Sequence, residues 1–318
     1  MPSGLARFVL RRALFAAALV LVVSSAALVL ASLAPPDLGF DANPAAVAAE
    51  RARLGLDRPL HEQYVAWLGR AVRLDLGQSL RFGRPVTSLI RERAGNTALL
   101  GLAALALATL LGIPLGVFTG SRPRGPLVSL TRGVSALLLA VPPLITSLVL
   151  LLIAVRTGWL PAGGLPETSG ADAFTALVIT ARHLLLPALA LALPIAASLE
   201  RLQSSAMREA LADPSIVAAR ARGIPPARLT WSHAWRLSLK PVLAIYGIVV
   251  GSVLSGSFAV EIVTAWPGLG ELTYEALRAR DLYLVAGCAA AGAGFLAAGI
   301  LASDLALAAV DPRIEEPA

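Results

Sequence analysis

The sequence predicts an all-α membrane protein with six transmembrane helices. Of its 318 residues, 57% are apolar and only 15% are charged, and its mean hydropathy is +0.74, whereas soluble domains average about 25% charged residues. Six apolar runs are each long enough to cross a hydrocarbon core of about 30 Å as an α-helix. The predicted spans cover residues 8–33, 97–118, 133–155, 184–202, 242–263 and 284–310.

The first span is predicted to be a retained helix. Its apolar run exceeds the roughly 7 to 15 residues of a cleaved signal peptide, and the only suitable cleavage site, after Ala34, is followed by Pro35 and Pro36. A twin-arginine export signal at Arg11 and Arg12 is the alternative. Residues 1–33 therefore form the N-terminus and first transmembrane helix.

The segment 34–96 is predicted to be an extracytoplasmic helical region inserted after the first helix. Within it, a helix is expected over residues 60–74, because Leu60, Tyr64, Trp67 and Leu68 fall on one face. The remaining five spans form a core over 97–310, followed by a tail at 311–318.

Prolines and one acidic residue distinguish the core spans. The prolines inside spans predict either plain kinks or helices that line a pathway, and the sequence leaves both interpretations open. They are Pro114, Pro142, Pro143, Pro187 and Pro194. Asp304 is the clearest ionisable residue within a span. The limits of the fourth span are the least defined, because Arg182 and His183 stand at its start.

Basic residues predict the orientation in the membrane. The N-terminus and the loops 120–132 and 201–241 carry most of the short-loop arginines, and the opposite short loops carry only Arg156, Arg182, Arg278 and Arg280. Cytoplasmic loops carry the excess of basic residues. Both termini and the loop 201–241 are therefore expected on the cytoplasmic side.

The loop 201–241 contains signals for a short helix. Asp213 is a suitable N-cap and Pro214 is a suitable first helical residue. Gly223 can adopt the left-handed conformation just past the end of the helix at Arg222. A helix of about two and a half turns is marginal alone in water, so a partner or the rest of the loop must hold it. It is either a docking element for another protein or a helix lying on lipid headgroups.

No catalytic, cofactor or metal site is predicted. His61, His183 and His233 lie in different segments, and Cys288 is the single cysteine. A phosphate-binding loop needs Gly-Lys-Ser/Thr, yet the only lysine, Lys240, precedes a proline. The formal charge of +7 is explained by topology and lipid headgroups rather than by nucleic acid.

Several motifs carry a resemblance to a known family. The loop Ala218-Ala219-Arg220-Ala221-Arg222-Gly223, with His233 and Pro241 downstream, resembles the "EAA" loop of permease subunits in binding-protein-dependent ABC importers of the dipeptide, oligopeptide and nickel group. Val217 stands where the loop's glutamate would be. Further similar motifs lie before the core at 54–60, 75–80 and 83–86. Others lie near the C-terminus at 260–261, 266–270, 275–276, 280–281 and 311–314.

The resemblance implies the six-helix transmembrane subunit of a type I ABC importer, in a bacterial cytoplasmic (inner) membrane. Its partners would be a second, similar permease, two cytoplasmic ATPases that bind ATP and Mg²⁺, and an extracytoplasmic binding protein. The chain itself would be non-catalytic and hold no cofactor. Peptides are the leading cargo and nickel the alternative. An ATP-independent channel or a membrane-embedded hydrolase stays open as a different class.

The resemblance also implies two groups of site residues. The first, at the contact with the ATPase, is Pro214, Ile216, Val217, Ala218, Ala219, Arg220, Ala221, Arg222, Gly223 and His233. The second, at an extracytoplasmic gate or binding-protein contact, is Glu261, Trp266, Pro267, Gly268, Gly270 and Asp281. For Glu261 and Asp281 the alternative is helix capping, and for 266–270 it is an interfacial tryptophan followed by a turn.

Overall fold

The computed structural model describes residues 2–33, 45, 52–53, 58–73, 75–122, 124–166, 170 and 172–310. In these residues the regular structure is helical, apart from one isolated β-bridge between Gln78 and Pro85. The helices are α1 Pro2–Leu33, α2 Leu60–Ala71, α3 Val86–Ser121, α4 Pro126–Ala140, α5 Pro143–Thr157, α6 Ala173–Ala212, α7 Pro214–Ala221, α8 Trp235–Ala244, α9 Tyr246–Thr264, α10 Leu269–Ala279 and α11 Leu282–Val310. The motifs at 54–57 and 311–314 and the tail 311–318 lie outside the described residues.

The helices confirm an all-α membrane protein. Within the described residues, five helices are long and apolar enough to cross a membrane, and there are up to six if a bent pair counts as one span. The five lie in α1, α3, α6, α9 and α11. The predicted first, second, fourth and sixth spans all fall inside single helices.

The third predicted span, 133–155, is wrong as one continuous helix. The chain forms α4 and α5, whose axes are bent by 108° at the break between them. Val141 and Pro142 adopt extended backbone angles there, because a residue before proline is pushed out of the helical region. Pro142 and Pro143 come directly after Val141, and Pro143 starts α5. Two adjacent prolines therefore end one helix and start the next.

Other boundaries also differ from the predictions. The fourth span is the middle of α6, a helix of 40 residues that continues through Pro187 and Pro194. The fifth predicted span, 242–263, is interrupted at Ile245, which separates α8 from α9. The helix predicted over 60–74 ends at Ala71.

The chain divides into two compact units. The first comprises residues 1–98 and 267–298. Its core joins α1, α2, the start of α3, α10 and the first half of α11. Trp67 and Leu272 are among the largest fully buried side chains here, and Tyr64 and Leu68 pack against the same cluster, so the predicted apolar face of α2 is confirmed for these residues.

The second unit comprises residues 99–266 and 299–318. Its central contact joins α3 and α6 through three glycines, Gly112, Gly116 and Gly120, which follow each other one turn apart. A Cβ at Gly112 would lie 2.6 Å from the carbonyl oxygen of Ala196, and one at Gly120 would lie 2.6 Å from that of Ser204. Only residues without a side chain allow two helix backbones to approach this closely.

Candidate coupling site

The short helix in the loop 201–241 begins as the sequence predicts. The Asp213 carboxylate accepts hydrogen bonds from the backbone N–H of Ser215 at 2.8 Å and from its hydroxyl at 2.5 Å. Pro214 occupies the first helical turn, where its missing N–H costs nothing. The hydrogen bonds from the Ser215 side chain and backbone lower the pKa of Asp213, so this cap is anionic at neutral pH.

The end of α7 is a glycine-terminated turn. The N–H of Gly223 donates to the Arg220 carbonyl at 2.9 Å, and the N–H of Ile224 donates to the Ala219 carbonyl at 3.4 Å. Gly223 has φ +85, the left-handed conformation that terminates a helix in the Schellman motif. The predicted left-handed position of Gly223 is therefore confirmed, although the helix ends at Ala221 and Arg222 is its C-cap.

One face of α7 packs on its own loop. Ile216 and Ala219 are buried and form a cluster with Leu229, against which Leu211 and Ile224 pack. Of the two ways to hold this helix that the sequence left open, the rest of the loop supplies these contacts. These contacts within the loop hold the inner face of α7.

The opposite face of α7 is exposed. Val217 has 51% of its surface accessible, and the remaining predicted residues of the ATPase contact, other than Ile216 and Ala219, are exposed as well. These are Pro214, Val217, Ala218, Arg220, Ala221, Arg222, Gly223 and His233. The structure thus brings the predicted residues of α7 together on one short, solvent-facing helix that carries two arginines.

A π-helical segment beside α7 adds an aromatic side chain that the sequence analysis missed. Leu229–Ala234 is π-helical, and such segments occur often at functional sites. In it, Leu229 anchors the cluster under α7, while Trp231 is 57% exposed. His233 is exposed, and its Nδ1 lies 3.3 Å from the Arg228 carbonyl. A tryptophan within the loop 201–241 was the available signal.

In the second unit, the predicted gate residues Glu261 and Trp266 are buried. Trp266 is 1% exposed and packs in a cluster with Leu100, Leu191 and Val260. Its N–H donates to the Glu261 carbonyl at 2.9 Å. Ala265, between them in the turn, has φ +48, a left-handed conformation that costs a non-glycine residue roughly 1–2 kcal/mol.

In the first unit, the turn at Pro267, Gly268 and Gly270 is held by side chains of α3. Asn96 Nδ2 donates to the Pro267 carbonyl at 2.8 Å, and Thr97 Oγ1 accepts from the Leu269 N–H at 2.8 Å. Gly268 and Gly270 are buried and Pro267 is half-buried.

An ion pair extends this clamp into α10. Arg93 lies 3.0 Å from Glu271. Burial raises the pKa of Glu271, and the positive charge of Arg93 opposes that rise. Arg93, Asn96 and Thr97 thus fix the start of α10 to one side of α3.

Asp281 is buried and caps a helix. Its carboxylate accepts from the Ser79 hydroxyl at 2.5 Å, the Arg81 N–H at 3.1 Å and the Leu284 N–H at 3.2 Å. Only 1% of its surface is exposed. For Asp281, the capping alternative is what the structure contains, as the N-cap of α11.

A buried carboxylate in α6 was also missed. Glu200 is 1% exposed and lies within the fourth predicted span, so Asp304 is not the clearest ionisable residue inside a span. The position of Glu200 at the α3–α6 contact was predictable only from the four-residue spacing of Gly112, Gly116 and Gly120. Among the described residues, no group of three or more His, Cys, Asp or Glu is placed to hold a metal ion.

Two sequence profiles match this chain. The family described as "Binding-protein-dependent transport system inner membrane component" matches residues 112–316. The one described as "Binding-prot-dependent transport system membrane comp, N-term" matches residues 5–98. Together they account for both the core and the region before it.

Similar proteins extend over nearly the whole chain. The putative peptide permease protein of Brucella suis biovar 1 is 37% identical over 97% of this chain and 99% of its own length. The oligopeptide transport system permease protein AppB of Bacillus subtilis is 34% identical over 98% of this chain and 100% of its own. The di/tripeptide transport system permease protein DppB of Pseudomonas aeruginosa is 33% identical over 73% and 74%, respectively.

Profile matches, full-length relatives and membrane-spanning helices agree with each other. The chain belongs to the family of binding-protein-dependent transport system inner membrane components, the multi-pass permease subunits of ABC transporters.

Proposed function

We propose that this chain forms half of the translocation pathway of an ATP-driven peptide importer. A second, similar permease would form the other half, two cytoplasmic ATPases would bind ATP and Mg²⁺, and an extracytoplasmic binding protein would deliver the peptide. The peptide cargo is supported by the names of three relatives, which are 33% to 37% identical to this chain. The chain itself performs no chemical step in this proposal.

The observation that carries the proposal is the division of α7 into two faces. Ile216 and Ala219 fix the helix to its own loop, while Val217, Arg220 and Arg222 are exposed. A small helix with a fixed inner face and a free outer face suits insertion into a cleft of a motor subunit. Trp231, exposed beside it, belongs to the same contact, because tryptophan and arginine are enriched where interfaces derive their affinity.

The mechanism follows from the connection of α7 to α6. Closure of the ATPase pair on ATP moves α7 as a rigid element, and α6 carries that movement into the membrane. Hydrolysis reverses it. In this proposal the loop 201–241 and both termini are cytoplasmic, as the arginines of the short loops predict.

Cysteine cross-linking tests both the contact and the orientation. Cys288 is the only cysteine and is buried, so a Cys288→Ala background is free of competing thiols. In it, Val217→Cys is expected to react with a membrane-impermeant maleimide from the cytoplasmic side only, and to cross-link to an ATPase subunit. Ile216 is only 2% exposed. Ile216→Cys is therefore the matched control, and it should neither react with the maleimide nor cross-link to an ATPase subunit. Labelling of Val217→Cys from the outside would refute the orientation.

Transport in vesicles tests the cargo. Proteoliposomes holding the full complex should accumulate a labelled peptide only with ATP inside and the binding protein outside. Accumulation without ATP would favour a channel. Accumulation of chelated nickel, with no peptide uptake, would assign the alternative cargo.

A further inference from the structure

Two polar residues of α6 are buried at the end of the fourth predicted span, 184–202, with Glu200 inside the span and Gln203 one residue beyond it. Glu200 is 1% exposed and Gln203 is fully buried. They lie one turn apart and both face the Gly116 position of α3, where an added Cβ would be 2.5 Å from Gln203 Cβ. Ionisable and strongly polar residues inside transmembrane helices are costly and usually serve a function.

Hydrogen bonds join Glu200 and Gln203 to two other helices, and a further bond links their partner Thr119 to a third. Thr119 Oγ1 of α3 donates to Glu200 Oε1. Arg132 of α4 donates to the Thr119 carbonyl at 2.8 Å. Gln203 Nε2 donates to Ser238 Oγ of α8 at 2.8 Å. We call Thr119, Glu200, Gln203 and Ser238, all of which are buried, the buried polar network.

The network retains two acceptors without a hydrogen-bond partner. Among the described residues, neither Glu200 Oε2 nor Gln203 Oε1, both buried, has a donor within reach. A buried acceptor without a partner opposes stability. Apolar residues would pack this contact at less cost, so stability alone does not account for Glu200 and Gln203.

The location of the network relates it to the coupling site. Gln203 is ten residues before Asp213 on the same continuous helix, a distance of about 15 Å along its axis. The helix α6 then passes directly to α7 through Asp213. A movement of α7 can therefore reach α3 through this contact, besides the path to α8 through Leu229 and the π-helical segment.

We propose that Glu200 and Gln203 are positioning residues that couple the movement of α7 to the membrane-spanning helices. Through Thr119 and Ser238 they hold α3 and α8 to α6, so that these helices move together when the ATPases close. This inference rests on the proposed function, because it assigns a role within the ATP-driven cycle. Without the network, ATP is still hydrolysed but less of its energy moves cargo.

The test compares variants in the full complex in proteoliposomes, with peptide uptake and ATP hydrolysis measured on the same vesicles. Glu200→Ala is expected to lower the uptake per ATP by about tenfold, within the usual range for a lost coupling between sites, while basal hydrolysis persists. Glu200→Gln keeps the acceptor for Thr119 and should stay close to wild type. Glu209→Gln, an exposed carboxylate of the same helix, is the matched control and should have no effect.

Two results for Glu200→Ala would overturn the proposal. One is a wild-type rate of both peptide uptake and ATP hydrolysis. The other is a proportional loss of uptake and hydrolysis, which would indicate a merely structural role. If Glu200→Ala does not assemble, Thr119→Val decides, since it removes only the hydroxyl donor: a lowered ratio supports the proposal, and an unchanged ratio refutes it.

The wild-type vesicles separate this inference from the proposed function. If they take up no peptide, the proposed cargo fails before any variant is compared. The network is then tested by the stimulation of ATP hydrolysis by the binding protein with its own cargo, which Glu200→Ala should reduce and Glu209→Gln should not. Equal stimulation in all three would overturn the inference.

Discussion

The helices α7 and α10 are both short, and both follow a long helix, but they are held in different ways. In α7, only Ile216 and Ala219 are buried, and all of their partners lie within the same loop and its flanks. In α10, five residues are buried, and polar side chains of α3 hold its start. The helix α7 is an exposed element held by its own loop, whereas α10 is part of a buried core.

Their ends show the same difference. Both helices end in a left-handed residue, which is Gly223 with φ +85 in α7 and Arg280 with φ +50 in α10. Glycine adopts this conformation without strain, whereas an arginine must be held there by its surroundings. The short-range sequence therefore specifies α7 almost alone, while α10 depends on distant residues. A helix that is held only by its own loop and flanks leaves its other face free for a partner.

The largest effect is expected from Gly223→Glu, which would abolish peptide uptake while leaving the protein inserted in the membrane. A side chain at φ +85 is strained, and a new carboxylate would stand beside the proposed ATPase contact. Uptake in proteoliposomes, together with the membrane-bound amount of the protein, measures this. Gly158→Glu is the control, because Gly158 also ends a helix with positive φ and open space around it. Wild-type uptake by Gly223→Glu would contradict the functional role proposed for α7.

Asp281→Ala should cause the largest loss of stability. It removes the acceptor for Ser79, Arg81 and Leu284 in a buried site, at an expected cost of about 3 kcal/mol in the free energy of unfolding. Thermal unfolding of the protein in detergent measures the loss. Asp172→Ala, at the exposed N-cap of α6, is the comparison and should cost less. Equal losses would contradict the view that the α10 region depends on buried contacts.

Thr97→Val should have a smaller effect on the same region. The change preserves the shape of the side chain but leaves the buried N–H of Leu269 without its acceptor, which costs about 1–2 kcal/mol. Thr131→Val, at an exposed position of α4, should leave the unfolding temperature almost unchanged. If the two variants unfold alike, the clamp on α10 does not contribute to its stability.

The smallest effect concerns pH and the start of α7. Because hydrogen bonds from Ser215 lower the pKa of Asp213, the stabilisation by this cap is present above the ordinary aspartate pKa and is lost as the pH falls through the lowered value. Amide hydrogen exchange at Ser215 and Val217, corrected for intrinsic rates, should therefore accelerate at acidic pH. In Asp213→Asn the corrected rates should not change with pH. A pH-independent wild type would show that the cap is unimportant.

The same distinction decides what the sequence could predict. The start and end of α7 were predictable because Asp213, Pro214 and Gly223 act on their immediate neighbours. The apolar spans were predictable from composition. The break between α4 and α5 was visible as adjacent prolines, but their pairing makes a sharp bend of 108° rather than a kink inside one span.

Contacts between distant segments could not be predicted. Nothing near Thr97 indicates that it accepts a hydrogen bond from Leu269, and nothing near Asp281 indicates Ser79 as its partner. Glu200 was hidden for a related reason, because its burial depends on the glycines of α3 opposite it. Local signals specify helices and caps, whereas the partners of buried polar groups depend on the whole fold.

The length of α6 has a mechanical consequence. Its 40 residues give a rod of about 60 Å, roughly twice the thickness of the hydrocarbon layer. A rod pivoting at its centre moves its tip by about 5 Å when it tilts by about 10°. In the proposed function, closure of the ATPases would carry α7, at that tip, through this distance while the middle of the rod barely shifts. A small rotation among the packed helices and a large displacement at the ATPase contact would then be two ends of one movement.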